Sequence, residues 1–237
     1  FRYRPDTPEV LHQVSLEIRP GQRAALVGPT GAGKTTIANL VARFYEASQG
    51  AVRIDGIDVR EVTQQSLHRQ VGIVPQDSFL FAGSIAENIR FGDPSATDAQ
   101  VEQAARMANA HDFIAALPDG YATRVLENAA NLSVGQRQLV CIARAVLIDP
   151  RILILDEATA NIDTVSEGLI QQALERLLAG RTAVIVAHRL STIQNADVIF
   201  VIQDGRIVER GAHAELLAGS GLYRTLYERQ FKLSSEE

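Results

Sequence analysis

The chain has 237 residues, 46% of them hydrophobic and 22% charged, with a formal net charge of −5. That length suits one large domain or two smaller lobes with room for a real core, and the composition is that of a globular protein. The negative balance gives no hint of an electrostatic nucleic-acid binder, and a single cysteine, Cys141, excludes a disulfide framework or the common zinc clusters.

In chain order, Val14, Leu16 and Ile18 alternate within Val10 to Ile18 and stop at Pro20-Gly21. This predicts a half-exposed antiparallel strand. Arg23-Ala24-Ala25-Leu26-Val27 then reads as a short buried strand, followed at once by Gly28-Pro29-Thr30-Gly31-Ala32-Gly33-Lys34-Thr35. That octet fits the phosphate-loop pattern G-x-x-x-x-G-K-[ST], in which glycines let main-chain amides converge on a polyphosphate. Lys34 adds a point charge for the β- and γ-phosphates, and the Thr35 hydroxyl is an Mg²⁺ ligand by type. Ile37, Leu40, Val41 and Phe44 fall on one face of a helix opening at the loop, with its positive end toward the phosphates.

Ala51 to Val59 predicts a hairpin turning at Asp55-Gly56, and Gln70 to Gln76 a buried strand stopped by Pro75. From Asp77 to about Pro150 the pattern turns helical. Thr97-x-x-Gln100 reads as a capping box, and a second run after Ser133 puts Leu139, Ile142, Ala143, Val146 and Leu147 on one face. Cys141 lies in that run and reads as a buried structural thiol. Ile152-Leu153-Ile154-Leu155 predicts a strand covered on both faces. Thr164-x-x-Glu167 reads as the cap of a helix that turns Leu169, Ile170, Ala173, Leu174, Leu177 and Leu178 inward and ends at Gly180. Ala183 to Ala187 and Val198 to Ile202 are further buried strands, the latter turning at Asp204-Gly205 onto Arg206-Ile207-Val208. The expected fold is α/β: a P-loop core with a mostly parallel sheet over about residues 1–76 and 151–237, an N-terminal antiparallel β subdomain, and an inserted α-helical lobe over about 77–150.

Asp156 and Glu157 follow the Ile152–Leu155 run, at the strand end where open α/β sheets bind ligands. Asp156 suits Mg²⁺, and Glu157 suits orienting or deprotonating an attacking water. His188 follows the next buried strand; the pattern leaves open a contact to the γ-phosphate or an ordinary structural histidine. Gln76, after its own strand, has an amide oxygen suited to Mg²⁺ or the water. His12, His68, His111 and His213 show no partner pattern. Leu132-Ser133-Val134-Gly135-Gln136 places a serine and helix amides at a second anion-seeking N-terminus. One nucleotide does not need both elements from one chain, so a second copy is expected to supply one of them.

Taken together these residues resemble the nucleotide-binding domain of an ABC transporter, over essentially the full length. Gly28–Thr35 matches Walker A; Ile152–Asp156 with Glu157 matches Walker B and its catalytic glutamate. Leu132–Gln136 matches the LSGGQ signature except at Val134. Gln76 matches the Q-loop, Ala160-Asn161-Ile162-Asp163 the D-loop, and His188 the switch histidine. Tyr3 stands where the family stacks an aromatic on adenine. The resemblance implies ATP and Mg²⁺ as cofactors, with Thr30, Gly31, Ala32, Gly33, Lys34, Thr35, Thr36 and Tyr3 contacting ATP. It implies Ser133, Gly135 and Gln136 at the ATP of a second ABC ATPase domain, with Thr35, Gln76 and Asp156 toward the metal and Glu157, His188 and Gln76 in catalysis.

Ser78-Phe79-Leu80-Phe81-Ala82-Gly83-Ser84-Ile85, Leu117-Pro118-Asp119-Gly120-Tyr121 and Gly221-Leu222-Tyr223 resemble the exporter type, whose domain is fused behind a transmembrane domain. This implies a place at the cytoplasmic face of a cell membrane and a transmembrane partner in the same polypeptide. Met107 is the only methionine, so Phe1 is expected to be internal to a longer chain. Two departures stand out. Val134 replaces the first glycine of the signature pair, and Glu127-Asn128-Ala129 stands where exporters show Glu-Arg-Gly. They leave open a heterodimer with one weakened site or a homodimer that tolerates valine. An importer subunit, a non-hydrolysing ATP-gated module and a DNA-remodelling ATPase are the competing readings. The last lacks its long heptad arms here, and no nucleic-acid partner is expected.

Overall fold

Residues 23–27, 152–156, 182–186 and 198–203 are apolar runs with little alternation, so each needs cover on both faces. The computed structural model, which describes residues 1–156, 162–187 and 190–229, makes all four strands of one sheet. In chain order the elements are β1 (Arg23–Val27), α1 (Lys34–Val41), β2 (Arg53–Ile54), β3 (Ile57–Asp58), α2 (Gln64–Gln70), β4 (Val71–Val74), β5 (Gly83–Ser84), α3 (Ile85–Arg90), α4 (Asp98–Met107) and α5 (His111–Ala115). There follow β6 (Arg124–Val125), α6 (Val134–Ile148), β7 (Ile152–Asp156), α7 (Thr164–Leu178), β8 (Thr182–Val186), α8 (Leu190–Gln194), β9 (Val198–Gln203), β10 (Arg206–Gly211), α9 (His213–Ala218) and α10 (Leu222–Tyr227).

The chain divides into two units: Phe1–Val71, Ile152–Glu157 and Thr182–Glu237 form one, and Gly72–Arg151 with Ala158–Arg181 the other. In the first, strands run in the order β10-β9-β1-β8-β7. β1 is parallel to both β8 and β9, β7 is parallel to β8, and only β10 runs antiparallel, on β9. Ala24, Ala25, Leu26, Ala183, Ile199, Val201 and Ile202 are wholly buried, as doubly covered strands require. The register pairs Leu26 with Val186 and Val186 with Asp156, so the ends of β1 and β7 lie at the same edge of the sheet. The chain leaving β1 therefore starts the glycine loop beside the carboxylate that ends β7.

The second unit is built around α6, which packs against α3, α4 and α7. Capping boxes start α3 at Ser84 and Glu87, α4 at Thr97 and Gln100, and α6 at Ser133 and Gln136. Leu139, Val140, Cys141, Ile142 and Ala143 are all buried, because helices flank α6 on several sides rather than one. Burial also pushes the Cys141 thiol pKa up, as befits a structural cysteine.

Several expectations need correction. Val10 to Ile18 alternates in exposure but forms no strand: Val10 and Leu11 donate to the Phe1 carbonyl, His12 to Gly205, and Gln13 turns to a φ of 51°. The antiparallel β element of this region is the β2–β3 hairpin alone, turning at Asp55-Gly56 as expected. Helix α1 stops at Val41, so Phe44 is off its buried face and 56% exposed. The α7 cap is Asp163, whose carboxylate accepts from the Ser166 amide at 2.9 Å, one residue before the expected Thr164. Leu169 is the exposed member of the face read as inward, and Val146 and Leu147 on α6 are only half-buried.

Candidate functional site

The loop leaving β1 exposes Pro29, Thr30 and Gly31 and buries Ala32, Gly33 and Lys34. Ala32 donates its amide to the Pro29 carbonyl at 3.2 Å, closing a tight turn. Gly33 then takes a φ of 107°, in the left-handed half where side chains are strained, and starts α1 with no side-chain cap. The first-turn amides of α1 have no i−4 partners by helix geometry, so they face the loop as donors. The Lys34 ammonium donates to the carbonyls of Gly28 and Pro29 at 2.7 and 3.0 Å. Burial lowers its pKa, and the nearby Asp156 carboxylate works against that shift.

The Thr35 hydroxyl, exposed beside the loop, donates to Asp156 Oδ2 at 3.4 Å. Two residues far apart in sequence thus meet at the sheet edge as a pair of hard oxygen donors. Thr36 is buried, and its hydroxyl lies 2.8 Å from the Tyr3 hydroxyl. Tyr3 itself is 40% exposed.

In the second unit, Ser133 caps α6 through the Gln136 amide at 3.2 Å, and Gln136 Oε1 accepts from the Ser133 amide at 2.9 Å. Val134 stands exposed at the first helical position. Gly135 packs so closely that a Cβ there would lie 2.6 Å from the Cβ of Ser166 on α7. Its small size is thus used inside this unit, for helix packing. Gln76 is exposed just past β4, and it and Val134 line one cleft of about 380 Å³ with Phe79, Asn128 and Arg137. Asn128 and Ala129 both have left-handed backbones, φ 54° and 51°. Asparagine tolerates that region and alanine less so.

Glu157, His188, Ala160 and Asn161 lie outside the described residues. The four other histidines have structural partners: His12 with Glu9, His68 with the Ala42 carbonyl, His111 with Tyr121, and His213 with Tyr223. Sequence reading overlooked Gly205. Gly205 was visible only as half of an Asp-Gly turn, yet it touches the loop, donating to the Ala32 carbonyl at 3.1 Å.

The residues present fit a nucleoside triphosphate. Space is open where a Cβ on Gly31 would sit, a buried lysine is held in the loop, and helix amides converge on it. Thr35 and Asp156 supply the oxygen donors that Mg²⁺ prefers. Among the described residues no cluster of three or more His, Cys, Asp or Glu could hold a metal by itself. That suits a cation shared between one or two protein oxygens and phosphates. Strand, glycine loop, helix and a carboxylate on a nearby parallel strand define a P-loop nucleoside-triphosphate-binding protein.

The profile described as "ABC transporter" matches residues 11–160. The chain is 55% identical over 224 residues to the uncharacterized ABC transporter ATP-binding protein YfiC of Bacillus subtilis (strain 168), covering 94% of this chain and 37% of that protein. It is 53% identical over 223 residues to the fatty acid ABC transporter ATP-binding/permease protein of Mycobacterium tuberculosis (strain CDC 1551 / Oshkosh), covering 94% and 35%. Against ATP-binding cassette sub-family B member 6 of Homo sapiens it is 51% identical over 225 residues, covering 95% and 27%. The chain thus spans little more than a third of the length of the curated relatives it matches, or less. A solved structure of a bacterial Atm1-family ABC exporter with ATP bound superposes at a TM-score of 0.90 with 47% identity, covering 98% of this chain and 40% of that one. The chain belongs to the ABC transporter family, as the ATP-binding and ATP-hydrolysing domain of the exporter type.

Proposed function

We propose that the domain works as half of a head-to-tail ATPase pair at the cytoplasmic face of a membrane, driving export through a transmembrane domain of the same polypeptide. The observation that carries this reading is the contact of Thr35 with Asp156 at 3.4 Å, which joins the phosphate loop to the acid at the end of β7. Thr30 to Thr36 hold the phosphates, Lys34 meets the terminal ones, and Tyr3 stacks on the base. Thr35 and Asp156 would hold Mg²⁺, which would neutralise charge on the phosphates. Glu157 orients the attacking water and takes its proton, and His188 contacts the γ-phosphate. Ser133, Gly135 and Gln136 serve the partner's ATP. Each ATP then bridges two domains, and loss of its γ-phosphate releases them. The fused permeases among the relatives support a transmembrane partner.

Glu157→Gln is the test. The variant is expected to bind ATP, release almost no phosphate and accumulate as a closed pair by size-exclusion chromatography. Normal phosphate release would remove Glu157 from its role.

Val134 bears on the kind of partner. Its exposed, β-branched side chain stands where a partner's γ-phosphate approaches, so the ATP it serves is held less tightly. The arrangement that tolerates this is a heterodimer in which a related chain brings an intact signature to this chain's own loop. Equal hydrolysis at both sites of the purified transporter would exclude it in favour of a homodimer.

A further inference from the structure

The ring of Tyr3 is gripped at two points by the stretch of chain that begins at the phosphate loop. Its hydroxyl pairs with Thr36 Oγ1 at 2.8 Å, in the first turn of α1. Its ring meets that of Tyr45 at 4.8 Å between centroids and 85° between planes. Phe1 closes the triangle, edge-on to Tyr3 at 5.0 Å and to Tyr45 at 6.0 Å. Edge-to-face contact is the arrangement aromatic quadrupoles favour.

Tyr45 comes to this place because of how α1 ends. Arg43 turns left-handed at φ 55°, the Phe44 amide returns to the Asn39 carbonyl at 2.9 Å, and the Arg43 guanidinium clamps the Val62 carbonyl at 2.6 Å. The same segment reaches the N-terminal residues a second time, where Ser48 Oγ accepts from the Arg2 amide at 3.3 Å. Tyr3 and Tyr45 remain 40% and 43% exposed. The Tyr3 ring is thus held by its neighbours and still partly open to solvent.

We propose that Tyr45 is a positioning residue for nucleotide selection, holding Tyr3 in the orientation that receives a purine base. The proposal rests on the reading of Tyr3 as the base-stacking residue. A lone surface tyrosine samples several rotamers and loses that freedom on binding; a ring already fixed by Thr36 and Tyr45 loses little. Because α1 carries Thr36 and leads into Tyr45, the base platform also keeps a constant distance from the phosphate loop.

The test compares two ligands on the full-length protein by calorimetry: Mg-ATP, which has a base, and Mg-tripolyphosphate, which has none. Tyr45→Leu is expected to weaken ATP roughly three- to tenfold, the worth of one aromatic pair, and to leave tripolyphosphate unchanged. Tyr45→Phe, which keeps the ring, is expected to bind ATP like the parent. If Tyr45→Leu weakens both ligands equally, Tyr45 merely supports the loop and the proposal is overturned. It is likewise overturned if Tyr3→Ala loses ATP affinity and Tyr45→Leu does not. If Tyr3→Ala itself binds ATP normally, the stacking reading falls, and the proposal with it.

Discussion

Gly205 donates its amide to the Ala32 carbonyl at 3.1 Å, so the turn between β9 and β10 braces the phosphate loop. The same residue accepts from the His12 amide at 2.8 Å, which extends the brace to the N-terminal segment. Its φ is +70°, and a Cβ would stand 2.1 Å from the Val10 carbonyl oxygen. Gly205→Ala must therefore shift backbone as well as adopt a strained φ. Left-handed strain of roughly 1–2 kcal/mol plus about 1 kcal/mol for the hydrogen bond predicts a lowered melting temperature. ATP affinity is expected to fall roughly tenfold or more in calorimetry. A lowered melting temperature with unchanged ATP affinity would confine Gly205 to the fold.

If Asp156 and its neighbour Thr35 hold Mg²⁺ as proposed, ATP binding depends on the cation. Asp156→Asn keeps the side-chain shape and removes the charge that a hard cation needs. The parent is expected to bind ATP more tightly in Mg²⁺ than in a chelator, by roughly tenfold or more if a charged contact of about 1.5–3 kcal/mol is involved. The variant is expected to bind equally in both. A retained Mg²⁺ effect would move the metal to other ligands.

Gly135 and Ser166 touch so closely that overpacking has a defined cure. Gly135→Ala puts a methyl 2.6 Å from the Ser166 Cβ, and such insertion costs about 1–3 kcal/mol. The urea midpoint is expected to fall, and Ser166→Gly in the same chain is expected to restore much of it. Additive losses in the double variant would show that the two positions do not share this space.

Acid stability provides a check on the first unit. Arg60 bonds Asp58 through its guanidinium at 2.7 Å and its amide at 3.0 Å, holding the Asp58 carboxyl at about 2 against an ordinary value of 3.8. A depressed carboxyl stabilises the fold above its unfolded pKa, and the effect disappears as pH falls through the folded value. Asp58→Asn is expected to lower the urea midpoint at neutral pH, with the gap to the parent shrinking from about pH 4 downward. A gap that holds constant to about pH 3 would assign the loss to packing rather than charge.

The strands of the sheet were legible because burial on both faces leaves an unmistakable apolar run, as at Ile152–Leu155, and the loop was legible because its glycines and lysine are adjacent in sequence. Local rules also located the caps at Thr97 and Ser133. They misplaced the α7 cap, since Asp163 and Thr164 are both capping types and only the backbone distinguishes them. Val10 to Ile18 misled for another reason: alternation reports which side chains are covered, and says nothing of whether a neighbour offers hydrogen bonds in register. The contacts of Gly205 with Ala32 and of Tyr45 with Tyr3 were out of reach because each joins residues distant in sequence. Period and motif carry no record of such partners.

The Lys34 amine rests on two main-chain oxygens of its own loop, Gly28 and Pro29. Neutral acceptors orient the cation without cancelling it, so uptake of a polyanion is an exchange in which one pair of contacts replaces another. A phosphate oxygen carries charge that a carbonyl lacks, so the exchange favours an anionic ligand over a neutral one.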